Sequence, residues 1–180
     1  AAGFDVVLIE TVGVGQSETM VAEMADLFVL LLAPAGGDEL QGVKRGIMEM
    51  ADLILINKAD GDLKATATRT CAEYAGALRL LRKRAQDPDG FPKALMVSAI
   101  EGNGLRQSWD EMEALVAWRK QNGVWEDTRA DQNEFWFNAE LRHALLTRLE
   151  NDPEASAASA AMQKAICAGQ IAPSVAAERV

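Results

Sequence analysis

The chain has 180 residues, 49% of them hydrophobic, which is enough for one well-formed core with a smaller appended segment. Its formal net charge of −9 argues against non-specific binding to nucleic acid or to an anionic membrane surface, and no apolar run is long enough to predict a membrane span. Because Cys71 and Cys167 lie far apart and His143 is the single histidine, neither a zinc site nor a disulfide framework is expected, and a reducing compartment fits better.

Four short apolar runs predict buried β-strands, at residues 4–10, 27–33, 52–57 and 93–98. Helical stretches are expected between them, at roughly 18–25, 39–50 and 62–86. Strands that alternate with helices in this way predict an α/β fold, with a parallel sheet and flanking helices on both faces. Ligands of such sheets bind beyond the carboxyl ends of the strands. Three of the predicted strands end there in polar residues, namely Glu10, Asn57 and Ser98.

The first predicted strand runs into the glycine-containing segment LIETVGVGQSE, residues 8–18. This segment is not a Walker A loop, because Glu10 stands where the first glycine belongs and the uncharged Gln16 replaces the lysine. A buried strand followed by an acid and a glycine turn is typical of a Walker B and switch II segment, in which the acid holds the magnesium shell. An ordinary strand–loop–helix connection is the alternative.

The motif NKAD, Asn57 to Asp60, directly follows the third predicted strand. Asp60 can accept two hydrogen bonds from N1–H and N2–H₂ of guanine, the Asn57 amide can brace a neighbouring loop and reach the base, and the Lys58 stem can lie over the ring. Adenine lacks this pair of donors and would leave Asp60 desolvated and unpaired. The motif therefore predicts a guanine site, although such tetrapeptides also occur as ordinary loops or helix caps.

A second candidate loop, Ser98-Ala99-Ile100 with the turn EGNG behind it, follows the next predicted strand. A tight turn there can present a backbone N–H group to O6 of guanine. The loop carries little information by itself, but its place at the strand end after NKAD supports the same interpretation.

From about residue 103 onward the pattern is helical. One helix is expected to begin near Arg129 and to carry an apolar stripe. The stripe consists of Phe137, Leu141, Leu145 and Leu149, flanked by Trp136. Asp152-Pro153 predicts the start of an alanine-rich helix that Gly169 can end, and Pro173 can begin a last short helix. The stripe either packs within the chain or pairs with a second copy of it.

The order of the segments ETVGVGQSE, PAGGDELQGVKRGIMEMAD, NKAD and SAIEGNG resembles the MeaB/ArgK-type GTPases associated with methylmalonyl-CoA mutase. The C-terminal sequence ICAGQIAPSVAAERV extends the resemblance over essentially the whole chain. ETVGVGQSE together with GDELQG is specific to this family, whereas NKAD and SA occur in many GTPases. One departure is the order Ala35-Gly36-Gly37, where Gly-Ala-Gly is expected.

The resemblance implies a P-loop GTPase fold of the SIMIBI type followed by an α-helical extension. Residues 1–121 would be the C-terminal part of the GTPase domain, and residues 122–180 a helical dimerisation extension. Family members carry a Walker A loop, a magnesium-binding helix start and a further acidic switch before the ETVGVGQSE strand, and this sequence contains none of them. We therefore expect an N-terminally truncated domain that has no GTPase activity by itself, with LIETVGVGQSE as its switch II.

The resemblance further implies that the intact protein binds and hydrolyses GTP with Mg²⁺. Its role would be that of a chaperone that assists and protects methylmalonyl-CoA mutase, or a related cobalamin-dependent acyl-CoA mutase. It would act as a homodimer in a bacterial cytoplasm or, as the second choice, in a mitochondrial matrix. A metallochaperone-type GTPase, a transport-associated (lysine/arginine/ornithine) ATPase and a plain interaction module remain alternatives. The scarcity of Cys and His disfavours the first of these, and NKAD disfavours the second.

Within this resemblance Glu10 would hold Mg²⁺ through water and serve catalysis, while Gly13 and Gly15 would approach the terminal phosphate. Gln16 would orient the attacking water. Glu10 and Gln16 could equally be solvent-exposed residues. Residues 36–45 resemble the segment called switch III in this family, in which charged side chains couple the nucleotide state to the mutase. Those side chains are Asp38, Glu39, Lys44 and Arg45. A solvated helix start is the plainer alternative there, since acids are favoured near the amino end of a helix.

Overall fold

The computed structural model describes residues 3–11, 17–34, 45–81, 84 and 86–180, and the chain divides into two compact units, Ala1–Ala130 and Asp131–Val180. Three strands form one parallel sheet in the order β1-β2-β3: β1 (Val29–Leu32), β2 (Leu53–Ile56) and β3 (Lys93–Met96). The helices of the first unit are α1 (Ser17–Met24), α2 (Arg45–Met50), α3 (Lys64–Leu80), which follows a 3-10 turn at Gly61–Leu63, and α4 (Leu105–Gln121). Helix α5 (Val124–Asn151) begins in the first unit and ends in the second, which also contains α6 (Pro153–Cys167) and α7 (Pro173–Ala177).

The central strand β2 is buried on both faces, as its uninterrupted apolar sequence predicts. Ile54 and Ile56 pack with Met48 of α2 and with residues of α3, whereas Leu53 and Leu55 pack on the opposite face near Met112 of α4. Each buried leucine or isoleucine side chain contributes about 1.5–3 kcal/mol to folding. The expected α/β fold, a parallel sheet with flanking helices, is confirmed.

The strands are aligned so that their carboxyl ends lie at one edge of the sheet. Leu32 pairs with Ile56, and Ile56 pairs with Met96. The pairing continues into the loops, where the Asn57 N–H donates to the Leu32 carbonyl (2.7 Å) and the Val97 N–H donates to the Ile56 carbonyl (2.9 Å). The loops after β2 and β3 are therefore held side by side.

The prediction of a strand at residues 4–10 is wrong for this structure. The segment has no regular secondary structure, and Leu8 is 86% exposed. An apolar run becomes a strand only where a neighbouring strand pairs with its backbone, and among the described residues the sheet consists of β1, β2 and β3.

The start of α5 also differs from the prediction, because the helix begins at Val124 rather than near Arg129. Gly123 adopts a left-handed conformation (φ 76°) directly after α4, which ends one helix and turns the chain into the next. Acidic residues then occupy the first turn of α5, where the positive end of the helix dipole favours them.

The second unit follows the sequence prediction closely. Asp152 caps α6, since its Oδ1 accepts hydrogen bonds from the N–H groups of Glu154 (2.8 Å) and Ala155 (3.1 Å). Gly169 follows the helix with a positive φ of 69°, and Pro173 starts α7. The predicted boundary between residues 121 and 122 stays a prediction, since α5 crosses the division between the two units. Among the described residues, no helix combines the length and hydrophobicity that crossing a bilayer requires.

Candidate functional site

The carboxyl edge of the sheet brings the two predicted binding loops into direct contact. The hydroxyl of Ser98, a fully buried residue, donates a hydrogen bond to Oδ2 of Asp60. The same hydroxyl oxygen accepts a hydrogen bond from the Glu101 N–H (3.0 Å). Ser98 therefore fixes the Asp60 carboxylate to the loop after β3, and Oδ1 of Asp60 accepts no hydrogen bond from the residues that the structure describes.

The loop after β2 makes a sharp turn at Lys58, which has a positive φ of 55°. Left-handed backbone at a residue with a side chain costs about 1–2 kcal/mol, so surrounding contacts must impose it. One such contact is the hydrogen bond from the Ala59 N–H to the Val97 carbonyl (3.0 Å). The turn leaves the Lys58 side chain exposed beside the half-buried Asp60.

The Asn57 side chain carries a hydrogen-bond acceptor with no partner. Its Oδ1 is buried and unpaired in the described part of the chain. A buried polar atom without a partner costs about 1–3 kcal/mol, so the Asn57 amide oxygen retains the capacity to accept a hydrogen bond. This feature is compatible with the predicted role of Asn57, in which its amide contacts a neighbouring loop and the base.

The turn after Ser98 depends on glycine. The Ser98 N–H donates to the Asn103 carbonyl (2.9 Å), and the Gly102 N–H donates to the Ser98 carbonyl (2.9 Å). Gly104 has a positive φ of 75°, and a Cβ at this position would lie 2.1 Å from the Met96 carbonyl oxygen. The tight turn leaves the Ala99 and Ile100 N–H groups without hydrogen bonds to described residues, and Ile100 is 88% exposed. These N–H groups are the donors that the predicted O6 contact requires.

Of the remaining predicted site residues, the structure describes Glu10, the backbone of Arg45 in α2, and the residues of α5. Glu10 lies exposed in irregular backbone, and no cluster of three His, Cys, Asp or Glu side chains is found in the described ranges that could hold a metal ion. Gly13, Gly15, Gln16, Asp38, Glu39 and Lys44 lie outside the described residues, and Arg45 is described only as the first residue of α2. On α5, Trp136 is half-buried, while the apolar stripe is exposed at Phe137, Leu141, Leu145 and Leu149.

Sequence reasoning missed a buried ionic network at the opposite, amino-terminal edge of the sheet. Nη2 of Arg119 donates to Oδ1 of Asp52 (2.6 Å) and to Oδ1 of Asp87 (2.7 Å). Arg84 bridges the same two carboxylates, with Nε 2.6 Å from Asp87 and Nη2 2.8 Å from Asp52. Burial lowers the pKa of Arg119, but its hydrogen bonds and proximity to Asp52 and Asp87 outweigh that effect, so its pKa lies above the ordinary value. The one signal in the sequence was an acid placed directly before an apolar strand.

The structure is a three-layer α/β arrangement. The loops after two neighbouring parallel strands present NKAD and SAIE side by side. This combination defines the P-loop GTPase class. The profile of the family described as methylmalonyl Co-A mutase-associated GTPase MeaB matches residues 1–154. The chain therefore belongs to this family, as the sequence resemblance predicted.

Three relatives illustrate the similarity. A mouse protein named "Methylmalonic aciduria type A homolog, mitochondrial" is 44% identical over 98% of this chain and 42% of its own length. The Escherichia coli protein named "GTPase ArgK" is 42% identical over 83% of this chain and 44% of its own length. A solved structure named "Crystal structure of LAO/AO transport system kinase" superimposes with a TM-score of 0.70 at 32% identity, covering 98% of this chain and 56% of that one. The chain thus spans about half the length of the relatives it matches.

Proposed function

We propose that this chain is the base-recognising part of a GTPase that assists and protects an adenosylcobalamin-dependent acyl-CoA mutase, methylmalonyl-CoA mutase in the first instance. The observation that carries the proposal is the contact between Ser98 and Asp60, together with the amide oxygen of Asn57, which has no hydrogen-bond partner among the described residues. The name of the matching family supports the mutase as partner. The chain's own share of the activity is nucleotide selection.

Guanine selection follows from the direction in which Asp60 is held. Ser98 occupies one carboxylate oxygen and so orients the other toward the ligand, where N1–H and N2–H₂ of guanine can donate. Adenine offers no such pair and would leave a desolvated carboxylate, which costs about 2–3 kcal/mol, or roughly 30- to 150-fold in affinity. The exposed stem of Lys58 would cover the ring, and the Ala99 or Ile100 N–H would meet O6.

Hydrolysis is assigned to the predicted switch II residues. Glu10 would hold Mg²⁺ through water, and that ion would neutralise phosphate charge when bound. Among the described residues, Glu10 does not belong to a cluster of three His, Cys, Asp or Glu side chains that could hold a metal ion. Gly13 and Gly15 would approach the terminal phosphate, and Gln16 would orient water. Replacing Glu10 with Ala in a full-length protein should lower turnover far more than nucleotide affinity, and unchanged turnover would remove Glu10 from the mechanism.

Coupling to the mutase is assigned to residues 36–45, through the charges of Asp38, Glu39, Lys44 and Arg45. Replacing Lys44 with Gln should leave basal GTP hydrolysis intact and reduce its acceleration by the mutase. Equal loss of basal and stimulated activity would instead indicate a folding defect.

Self-association is assigned to the exposed apolar stripe of α5, Phe137, Leu141, Leu145 and Leu149, with the neighbouring Trp136. An exposed row of large apolar side chains is a common feature of helices that pair. We propose a homodimer, located in a bacterial cytoplasm or a mitochondrial matrix. Light scattering should show a dimer of this chain at micromolar concentration, and a monomer at that concentration contradicts the assignment.

The deciding experiment compares GDP, GTP, ADP and ATP binding by calorimetry with a full-length protein, followed by hydrolysis with and without methylmalonyl-CoA mutase. We expect guanine nucleotides to bind at least 30-fold more tightly, and the mutase to change the rate. The similarity to a solved transport system kinase favours a second candidate, an ATP-using transport protein, and preference for ATP would establish that alternative. The 180-residue chain alone should bind GTP weakly, because it carries no GxxxxGK[ST] motif for the phosphates.

A further inference from the structure

Asp26 joins the end of α1 to the start of β1 and is held from two sides. Both oxygens of its carboxylate accept hydrogen bonds from Arg129 of α5, with Nε–Oδ1 and Nη2–Oδ2 distances of 2.8 Å each. Its backbone carbonyl accepts a third hydrogen bond, from Nη1 of Arg119 at the end of α4 (3.0 Å). Side chain and backbone of one residue therefore connect α1 to two different helices.

The two contacts differ in stiffness. Arg119 is buried and fixed by Asp52 and Asp87, so it holds the Asp26 backbone in place. The Arg129 side chain is 54% exposed, and an exposed pair can break and re-form at small cost. Asp26 thus has a fixed backbone and an adjustable side-chain contact.

The Arg129 side chain is also positioned by an aromatic ring. Its guanidinium carbon lies 4.6 Å from the ring centre of Trp125, and the Lys120 ammonium lies 4.8 Å from the same ring centre. Stacking on an aromatic ring restricts the planar guanidinium and favours a two-bond contact with a carboxylate. The hydrogen bond to Asp26 raises the pKa of Arg129 above its ordinary value.

The helices on either side of the pair have different predicted tasks. Helix α1 begins at Ser17, at the end of the predicted switch II segment (residues 8–18), and α5 continues to Asn151 with the exposed apolar stripe. We propose that Asp26 is a pivot: α1 turns about the backbone held by Arg119, and the Asp26–Arg129 pair transmits that turn to the first turns of α5. The idea that the bound nucleotide causes this movement rests on the proposed function. The link between α1 and α5 through Asp26 does not depend on it.

The test uses a full-length protein with the substitutions Asp26→Asn and Arg129→Gln, and the combination of both. Arg129→Lys keeps the cation near Trp125 while removing the two-bond geometry. Arg106→Gln is the matched control, because Arg106 forms an exposed ion pair with Asp110 within α4. Amide hydrogen exchange is followed separately in α1 and in residues 124–130, together with urea unfolding.

Without nucleotide, Arg129→Gln should speed exchange in α1 by about two- to fivefold, the size expected for an exposed two-bond ion pair, and Arg129→Lys by less. Because coupling between two sites is reciprocal, Asp26→Asn should speed exchange at residues 124–130 by a similar factor. The double variant should change no more than the larger single one, which is the sign of a shared interaction. Arg106→Gln should match the wild type.

With GDP and a non-hydrolysable GTP analogue, the wild type should show different exchange in residues 124–130, and both pivot variants should lose most of that difference while binding nucleotide normally. Unchanged α1 exchange in Arg129→Gln, or additive effects in the double variant, overturns the pivot. Failure of the wild type to bind guanine nucleotides counts against the proposed function alone, because the nucleotide-free comparison still decides the link between the helices.

Discussion

The two edges of the sheet use polar residues in opposite ways. At the amino-terminal edge, Asp52 and Asp87 face Arg84 and Arg119, and every carboxylate is bound by at least one guanidinium. At the carboxyl edge, a single hydrogen bond joins Ser98 to Asp60, while the Asn57 amide oxygen is left without a partner among the described residues. One edge satisfies its charges internally, and the other retains hydrogen-bonding capacity for something outside it.

This difference separates a structural role from a binding role better than burial or charge does. Arg119 also has a buried atom, Nε, without a hydrogen-bond partner in the part of the chain that the structure describes, so one unsatisfied group does not define a site. The two residues differ in how exposed they are to solvent. Arg119 is enclosed, whereas Asn57 is half-buried and lies beside the exposed Lys58. We therefore expect substitutions at the amino-terminal edge to change stability, and substitutions at the carboxyl edge to change ligand binding.

The largest effect is expected from Arg119→Met, which removes the cation shared by Asp52 and Asp87. Two buried carboxylates would lose a partner, and breaking a buried pair in this way costs about 3–5 kcal/mol. Urea unfolding of the chain should show this loss, with Arg106→Met as the control for removing an exposed arginine. A decrease in the free energy of unfolding below about 1 kcal/mol would mean that Arg84 alone neutralises Asp52 and Asp87. The network would then contribute little to stability.

The next effect concerns the carboxyl edge, where Asp60→Asn should weaken GDP binding to a full-length protein by about 30- to 150-fold. An amide at this position offers one acceptor and one donor, so it matches xanthine, which has a carbonyl at C2, better than guanine. Asp62→Asn is the control, because Asp62 is exposed two residues further on. If Asp60→Asn binds GDP and XDP with the same affinities as Asp62→Asn, Asp60 has no role in base recognition.

A third prediction tests whether the loop after β3 requires the close approach between Gly104 and the Met96 carbonyl oxygen. In Gly104→Ala, the new Cβ would approach the Met96 carbonyl oxygen to 2.1 Å, so the loop or the end of β3 must shift. We expect a loss of about 2 kcal/mol in urea unfolding. Gly102→Ala shares the positive φ but meets no atom within 4 Å, so it should cost only about 1 kcal/mol. Equal costs for both would show that the close approach is relieved without strain.

The sequence predicted that the loops after β2 and β3 meet at the carboxyl edge, but it did not predict the ionic network at the amino-terminal edge, for a physical reason. Asn57 and Asp60 lie in one short motif at the end of a strand, and parallel strands bring such ends together. The ionic network joins residues 32 and 67 positions apart, so no local pattern reveals it. The error at residues 4–10 has the same origin, because an apolar run shows the tendency to form a strand but not whether a neighbour pairs with it.

The smallest expected effect concerns Ser98, which is buried as Asp52, Asp87 and Arg119 are, but donates its hydroxyl to Asp60 of the candidate site. Ser98→Ala removes one hydrogen bond to Asp60, worth about 1 kcal/mol, so GDP affinity of a full-length protein should fall about fivefold. Ser108→Ala is the matched control, since its buried hydroxyl bonds the Gly104 carbonyl (2.9 Å) within the start of α4. Both variants should lose similar stability in urea, but only Ser98→Ala should reduce the preference for GDP over IDP, whose base lacks the N2 amino group. If affinity is unchanged while stability falls in both, Ser98 belongs with Arg119 as a structural residue, and the orientation of Asp60 has another cause.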